Sequence, residues 1–179
     1  RCISLGDIAH AYMGLGKYDS MEYYALKALR LAEEKGITEN TSQKWAMLIE
    51  NALRRGDYAA AETLYASISG YGDSAEMVRL CRYEQGNARF AVQDYAGALG
   101  FYTGLNYTDS ETLVAQCHAA LGRACLVAGK TEEAVREYAQ AVHLPEAQEA
   151  QYDIGKDYAA TNQNEKAIET LWACGDYEP

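Results

Sequence analysis

The chain repeats itself. Tyr71-Gly72-Asp73-Ser74 returns 36 residues later as Tyr107-Thr108-Asp109-Ser110, and Cys81 and Gly86 return at the same shift as Cys117 and Gly122. Gly56-Asp57-Tyr58-Ala59-Ala60-Ala61 matches Gln93-Asp94-Tyr95-Ala96-Gly97-Ala98 at a shift of 37. Gly16-Lys17-Tyr18, Gly129-Lys130-Thr131 and Asn162-Gln163-Asn164 occupy the same place, so successive turns begin at residues 16, 56, 93, 129 and 162. A unit of this length cannot bury an apolar face alone. It must stack on its neighbours to make a core.

Each turn separates two helical patterns. Gly and Asn at the turn tolerate the left-handed conformation that ends a helix. After it a small residue recurs as Ala61, Ala98, Ala134 and Ala167. Four residues on come Tyr65, Tyr102, Tyr138 and Leu171, and three further on Ile68, Leu105, Ala141 and Cys174. Steps of three and four put these on one helical face. The preceding helices carry a matching stripe: Trp45, Leu48, Ile49 and Ala52; Leu121, Gly122 and Cys125; Ile154, Gly155 and Tyr158. Gly86, Gly122 and Gly155 share one column. A glycine inside a helix costs about 0.5–1 kcal/mol relative to alanine, so its return predicts close helix–helix contact there.

The expected helices are 2–15, 19–35, 41–54, 58–68, 74–92, 95–105, 110–127, 131–143, 147–161 and 164–174. No segment alternates as a strand would, and only Gly36 to Thr41 reads as a longer loop. Asp73-Ser74 and Asp109-Ser110 stand where helices begin, as caps, with Asp73 and Glu76 resembling a capping box. Tyr-x-Asp-Ser therefore reads as a corner between units, with a binding motif as the alternative.

Composition narrows the function classes. Sixteen Lys+Arg against 26 Asp+Glu leave a net charge of −10, which repels phosphate backbones and anionic lipid. No apolar run approaches the ~18 residues of a membrane span. We therefore expect no nucleic acid and no membrane contact for this segment. Five cysteines without a C-x-x-C pair fit neither a zinc site nor a disulfide framework, and read as small buried residues in a reducing compartment. Fifteen tyrosines against two phenylalanines suit a thin structure whose core lies close to water.

These residues resemble the tetratricopeptide repeat family, whose first helix carries Trp, Leu-Gly and Tyr and whose second carries Ala, Phe and Pro. Trp45 and Leu48 match the Trp and Leu, Gly122 and Gly155 the Gly, and Tyr12 and Tyr158 the Tyr. Ala61, Ala98, Ala134 and Ala167 match the Ala; Tyr65, Tyr102 and Tyr138 stand for the Phe; Pro145 falls near the closing Pro. The units with Tyr-x-Asp-Ser resemble a variant in tetratricopeptide-like proteins of gut-dwelling Gram-positive bacteria. Departures are Met21 in place of the first Ala, Tyr24 one residue early, and Arg82, Gln85 and Arg89 where apolar residues belong, which suggests a rotated or extended helix.

The resemblance implies an all-α fold: a right-handed α-solenoid (superhelix) of about five repeats, 1–39, 40–73, 74–109, 110–145 and 146–179, as a single array. It implies a concave face lined by the first helices, where a peptide or partner segment docks. Carried over by column, one inward position gives His10, Glu50, Asn87, Arg123 and Lys156. One turn earlier lie Gly6, Ala46, Tyr83, Ala119 and Tyr152. His10, Glu50, Tyr83, Asn87, Arg123, Tyr152 and Lys156 are the candidate partner-binding residues. The full Lys and Asn set that clamps a chaperone-tail carboxylate in that family is missing.

Chemistry has weaker support. Cys117 and His118 are helix neighbours and do not face each other. His143 reads as a cap at a helix end just before Leu144-Pro145, and Glu132-Glu133 opens a helix where negative charge is favourable. No phosphate-loop, H-E-x-x-H or G-x-S-x-G string occurs. The expectation is a non-catalytic interaction scaffold with no metal and no cofactor. Alternatives are a peptide-sensing regulatory module and a non-catalytic subunit of a larger complex. Solenoid ends expose apolar faces unless capped, so end-to-end self-association is also expected.

Overall fold

The structure is a computed structural model and describes residues 4–36, 41–70 and 72–174. Among these residues it is all-helical, with ten helices and no strand. They are α1 (Leu5–Gly14), α2 (Tyr18–Glu34), α3 (Thr41–Arg54), α4 (Tyr58–Ser67), α5 (Ser74–Ala91), α6 (Tyr95–Tyr102), α7 (Ser110–Val127), α8 (Thr131–Ala139), α9 (Pro145–Ala160) and α10 (Asn164–Ala173). The chain forms two compact units, 1–82 and 83–179, and the boundary falls within α5. In the first unit α2 packs on α1 and on α3, and α4 on α3. In the second, α6 to α10 each pack on the next. Successive packing of helical hairpins is the construction of a helical repeat solenoid.

All five hairpins close on the same turn. Gly16, Gly56, Gln93, Gly129 and Asn162 have φ of 68, 67, 62, 75 and 58°. Each donates its N–H to the carbonyl three residues back, and the next residue donates to the carbonyl five back, as Asp57 does to Ala52 at 2.9 Å and Lys130 to Cys125 at 2.9 Å. This double closure satisfies two carbonyls that the helix end would otherwise leave unpaired. The residue after the turn then starts the second helix. Asp57 and Asp94 accept at 3.0 Å from the N–H groups of Ala60 and Gly97 as side-chain caps. Its carbonyl receives the N–H of Met21, Ala61, Ala98, Ala134 or Ala167. All five of those side chains are buried. Four of the five are alanines, small enough for close helix approach, and the first is Met21.

Further from the turn the hairpins interlock. A Cβ built on Gly86 would lie 2.5 Å from the Tyr102 ring, on Gly122 3.0 Å from Tyr138, and on Gly155 2.6 Å from Leu171. The expected glycine column is thus a row of holes, each filled by a large side chain of the second helix. Met21 is buried in the first repeat, where the column holds Ala9 and Ala25. Tyr24, one residue early, stacks on Tyr12 with centroids 5.4 Å apart.

Several expectations are corrected. Helix α5 is neither rotated nor extended: it is 18 residues long, as α7 is, and buries Cys81 and Gly86 as α7 buries Cys117 and Gly122. Its charges face outward, with Arg82 on Glu62 at 3.1 Å and Arg89 on Asp94 at 3.0 Å. Helix α8 stops at Ala139, four residues early, because Gln140 and Ala141 turn their N–H groups to carbonyls three residues back. The chain is then free to place Pro145 first in α9, where a missing N–H costs nothing. His143 is exposed in that connection, between Gln140, which caps α8, and Leu144, which caps α9. Helix α6 ends at Tyr102, where Thr103 turns extended.

The Tyr-x-Asp-Ser corner does start a helix, but its aspartate makes no side-chain cap. Asp109 instead accepts from the Tyr83 hydroxyl at 2.6 Å, and the Ser110 hydroxyl accepts from the Tyr107 N–H at 3.2 Å. The Asp73 side chain makes no capping bond among the described residues; its backbone carbonyl receives Glu76 and Met77. A complete capping box occurs at Ser4 and Asp7. The expected loop over 36–41 lies largely outside the described residues.

The interlock yields a prediction. Tyr102 is 1% exposed and its hydroxyl donates to Asn87 Oδ1 at 2.7 Å, so the ring has nowhere to go. Gly86→Ala should lower stability by about 1–3 kcal/mol in urea unfolding, despite alanine's better helix propensity. A gain in stability would contradict the interlock.

Candidate functional site

The second repeat departs from the others at the interlock. Counting seven residues before each turn and nine after it, the pairs are Ala9 with Ala25, Ile49 with Tyr65, Gly86 with Tyr102, Gly122 with Tyr138 and Gly155 with Leu171. Only the second pair is large on both sides. Ile49 is a large side chain standing where three other hairpins have glycine, opposite Tyr65. Tyr102 and Tyr138 are buried; Tyr65 is only half-buried.

What remains is an open cleft of about 900 Å³ inside the first unit. One face of α3 forms a wall with Trp45, Ala46, Ile49, Glu50 and Leu53. Tyr65 and Ile68 close one side, and Asp73 and Met77, at the start of α5, close the other. The wall is mainly apolar. At its edge Arg54 holds Glu50 at 2.8 Å, donates to the Tyr18 hydroxyl at 2.7 Å and lies over the Tyr18 ring at 5.5 Å. Asp73 is exposed, and its carboxylate has no hydrogen-bond or ion-pair partner among the described residues.

The equivalent corner in the second unit is filled. Tyr83 lies on α5 with its ring 6.0 Å from Tyr102 and 5.6 Å, edge-on, from Tyr107. Its hydroxyl holds the Asp109 carboxyl below the usual carboxylate range, and the same hydrogen bond pushes the Tyr83 phenol up. Beneath it, burial pushes Tyr102 up to about 12 and Cys117 up to about 11. Cys117 is a protonated, buried thiol at neutral pH, while the neighbouring His118 turns away to Glu137 at 2.8 Å.

The candidate residues divide between the units. His10 is exposed on α1, and Glu50 stands at the edge of the cleft. Tyr83 and Asn87 lie one turn apart on α5, both half-buried and both engaged, Tyr83 by Asp109 and Asn87 by Tyr102. Arg123 is exposed on α7. Lys156 on α9 pairs with Asp153 at 2.7 Å and lies over the Tyr152 ring at 4.7 Å. Of the neighbouring column, Ala46 lines the cleft, but Ala119 is 1% exposed and belongs to the core around Tyr138 and Ala147. The cleft walls Trp45, Ile49, Leu53 and Met77 are not among the residues expected at a site. Trp45 and Ile49 read as core stripe, and the signal that distinguishes them is Ile49 in a glycine column. No protein-family profile matches the chain, and no characterised protein matches its sequence.

The Tyr83–Asp109 pair makes a pH prediction. Lowering the carboxyl's pKa adds stability above its unfolded value, lost as pH falls through the depressed folded value; raising the phenol's adds stability below its own unfolded value, lost as pH climbs through the raised one. The contribution is therefore present from weakly acid pH to just below the phenol range. Measured as the urea midpoint against pH, Tyr83→Phe should be less stable at pH 7 and should lose less stability than the parent on acidification. Parallel acid limbs would show that the pair contributes nothing.

Proposed function

We propose that the chain is a non-catalytic module that binds a peptide or a segment of a partner protein, as the tetratricopeptide-like arrays that its columns resemble do. The supporting observation is the cleft of the first unit. Ligand sites are concave, mostly apolar and hold a few placed polar groups, in volumes of roughly 300–1,000 Å³. This cleft has that size and that lining, with Glu50, Arg54 and Asp73 at its margin. Burying a leucine-sized or aromatic side chain there contributes about 1.5–3 kcal/mol.

Display selection tests the reading. Random peptides panned against the whole protein should enrich a sequence family, and Leu53→Lys, on the half-buried cleft wall, should weaken those peptides about tenfold or more with the circular dichroism unchanged. Arg123→Ala combined with Lys156→Ala reports on the second unit's candidate residues in the same assay. No enrichment above an unrelated helical protein would overturn the proposal.

A further inference from the structure

The protein contains its own picture of what belongs in the cleft. The corners at Tyr71–Ser74 and Tyr107–Ser110 are copies, and ten residues before the turn that closes each hairpin stand Ala46 and Tyr83. In the second copy Tyr83 projects from the first helix, packs against Tyr102 and ends with its hydroxyl 2.6 Å from Asp109. The first copy keeps Tyr65 in the place of Tyr102 and Asp73 in the place of Asp109, but has Ala46 in the place of the tyrosine. Ala46, Tyr65 and Asp73 all line the cleft. The counterpart of Tyr107, Tyr71, lies outside the described residues.

A small residue in this column does not by itself leave space. Ala119 is covered by the core of its own unit, and Gly6 is covered by the stem of Lys44, whose Cε would lie 3.2 Å from a Cβ there. Ala46 differs in lining the open cleft, beside Ile49.

Resting on the peptide-binding reading above, we infer that the cleft takes a tyrosine side chain of the partner segment, its ring against Tyr65 and Trp45 and its hydroxyl donating to the Asp73 carboxylate. A charge-assisted hydrogen bond to an unpaired carboxylate is among the stronger ones and discriminates against a ring that lacks the hydroxyl. Charge further specifies the ligand. A phosphorylated tyrosine would bring further negative charge beside the Asp73 carboxylate, while Arg54, the cation lining the cleft among the described residues, is already paired with Glu50.

The test uses the full chain with Trp172→Phe, so that Trp45 alone reports, and titrates N-acetyl-tyrosinamide, N-acetyl-phenylalaninamide and N-acetyl-phosphotyrosinamide. The tyrosine amide should bind at least about tenfold more tightly than the phenylalanine amide, and the phosphorylated one should not bind. Asp73→Ala should erase the preference for the hydroxyl, and Ala46→Tyr should abolish binding by filling the cleft from within. Equal binding of the tyrosine and phenylalanine amides, or binding of the phosphorylated amide as tight as the tyrosine amide, overturns the inference. So do display-selected peptides that occupy the cleft without a tyrosine, although those leave the peptide-binding reading standing. If no amide binds and no peptide is enriched, both fall.

Discussion

The spacing between paired helices is set at the turn. Two backbone hydrogen bonds and one left-handed residue fix how each first helix hands over to its second, and the residue five positions after the left-handed one, alanine in four hairpins and Met21 in the first, is buried where they meet. From there the two helices run together, and the side chains that face each other one turn or two further on must share a nearly constant volume. Interiors pack to crystal-like density, so that volume is filled in few ways. Glycine opposite tyrosine or leucine is one, used three times. Two alanines, with Met21 buried nearby, is another. Isoleucine opposite tyrosine is the bulkiest pair, and there the tyrosine is only half-buried.

The cleft is the consequence. It arises from two substitutions in one repeat, an isoleucine in a glycine column and an alanine in a tyrosine position. The first puts a bulky side chain opposite Tyr65, and the second has no ring where the neighbouring copy has Tyr83. Ile49 and Ala46 are three residues apart on α3 and therefore share a face. A solenoid can make a binding site this way without any special loop or strained segment: it departs from its own repeat at one place.

Much of this was legible in the residues, and unevenly so. Helix positions and all five turns follow from local signals, since a turn at Gly56 or Asn162 depends on residues within one helical turn of it. Gln93 takes the same φ because the closure is the same, although its type alone would not suggest it. Asp57 and Asp94 signal their caps by recurring just after the turn, and that signal passed unread. Asp109 was legible as a helix start, while its actual partner, Tyr83, lies 26 residues away and no local pattern joins them. The cleft required comparing columns across repeats. Within its own helix Ile49 is an ordinary apolar residue at core spacing, and its meaning comes only from the glycines at the same place elsewhere.

The most direct measurement is a crystal structure of the Ala46→Tyr variant. The account predicts that the new ring lies in the cleft tilted against Tyr65, as Tyr83 lies against Tyr102, with its hydroxyl within hydrogen-bond distance of the Asp73 carboxylate, reproducing the Tyr83–Asp109 corner. A ring turned out to solvent above an open cleft would contradict it.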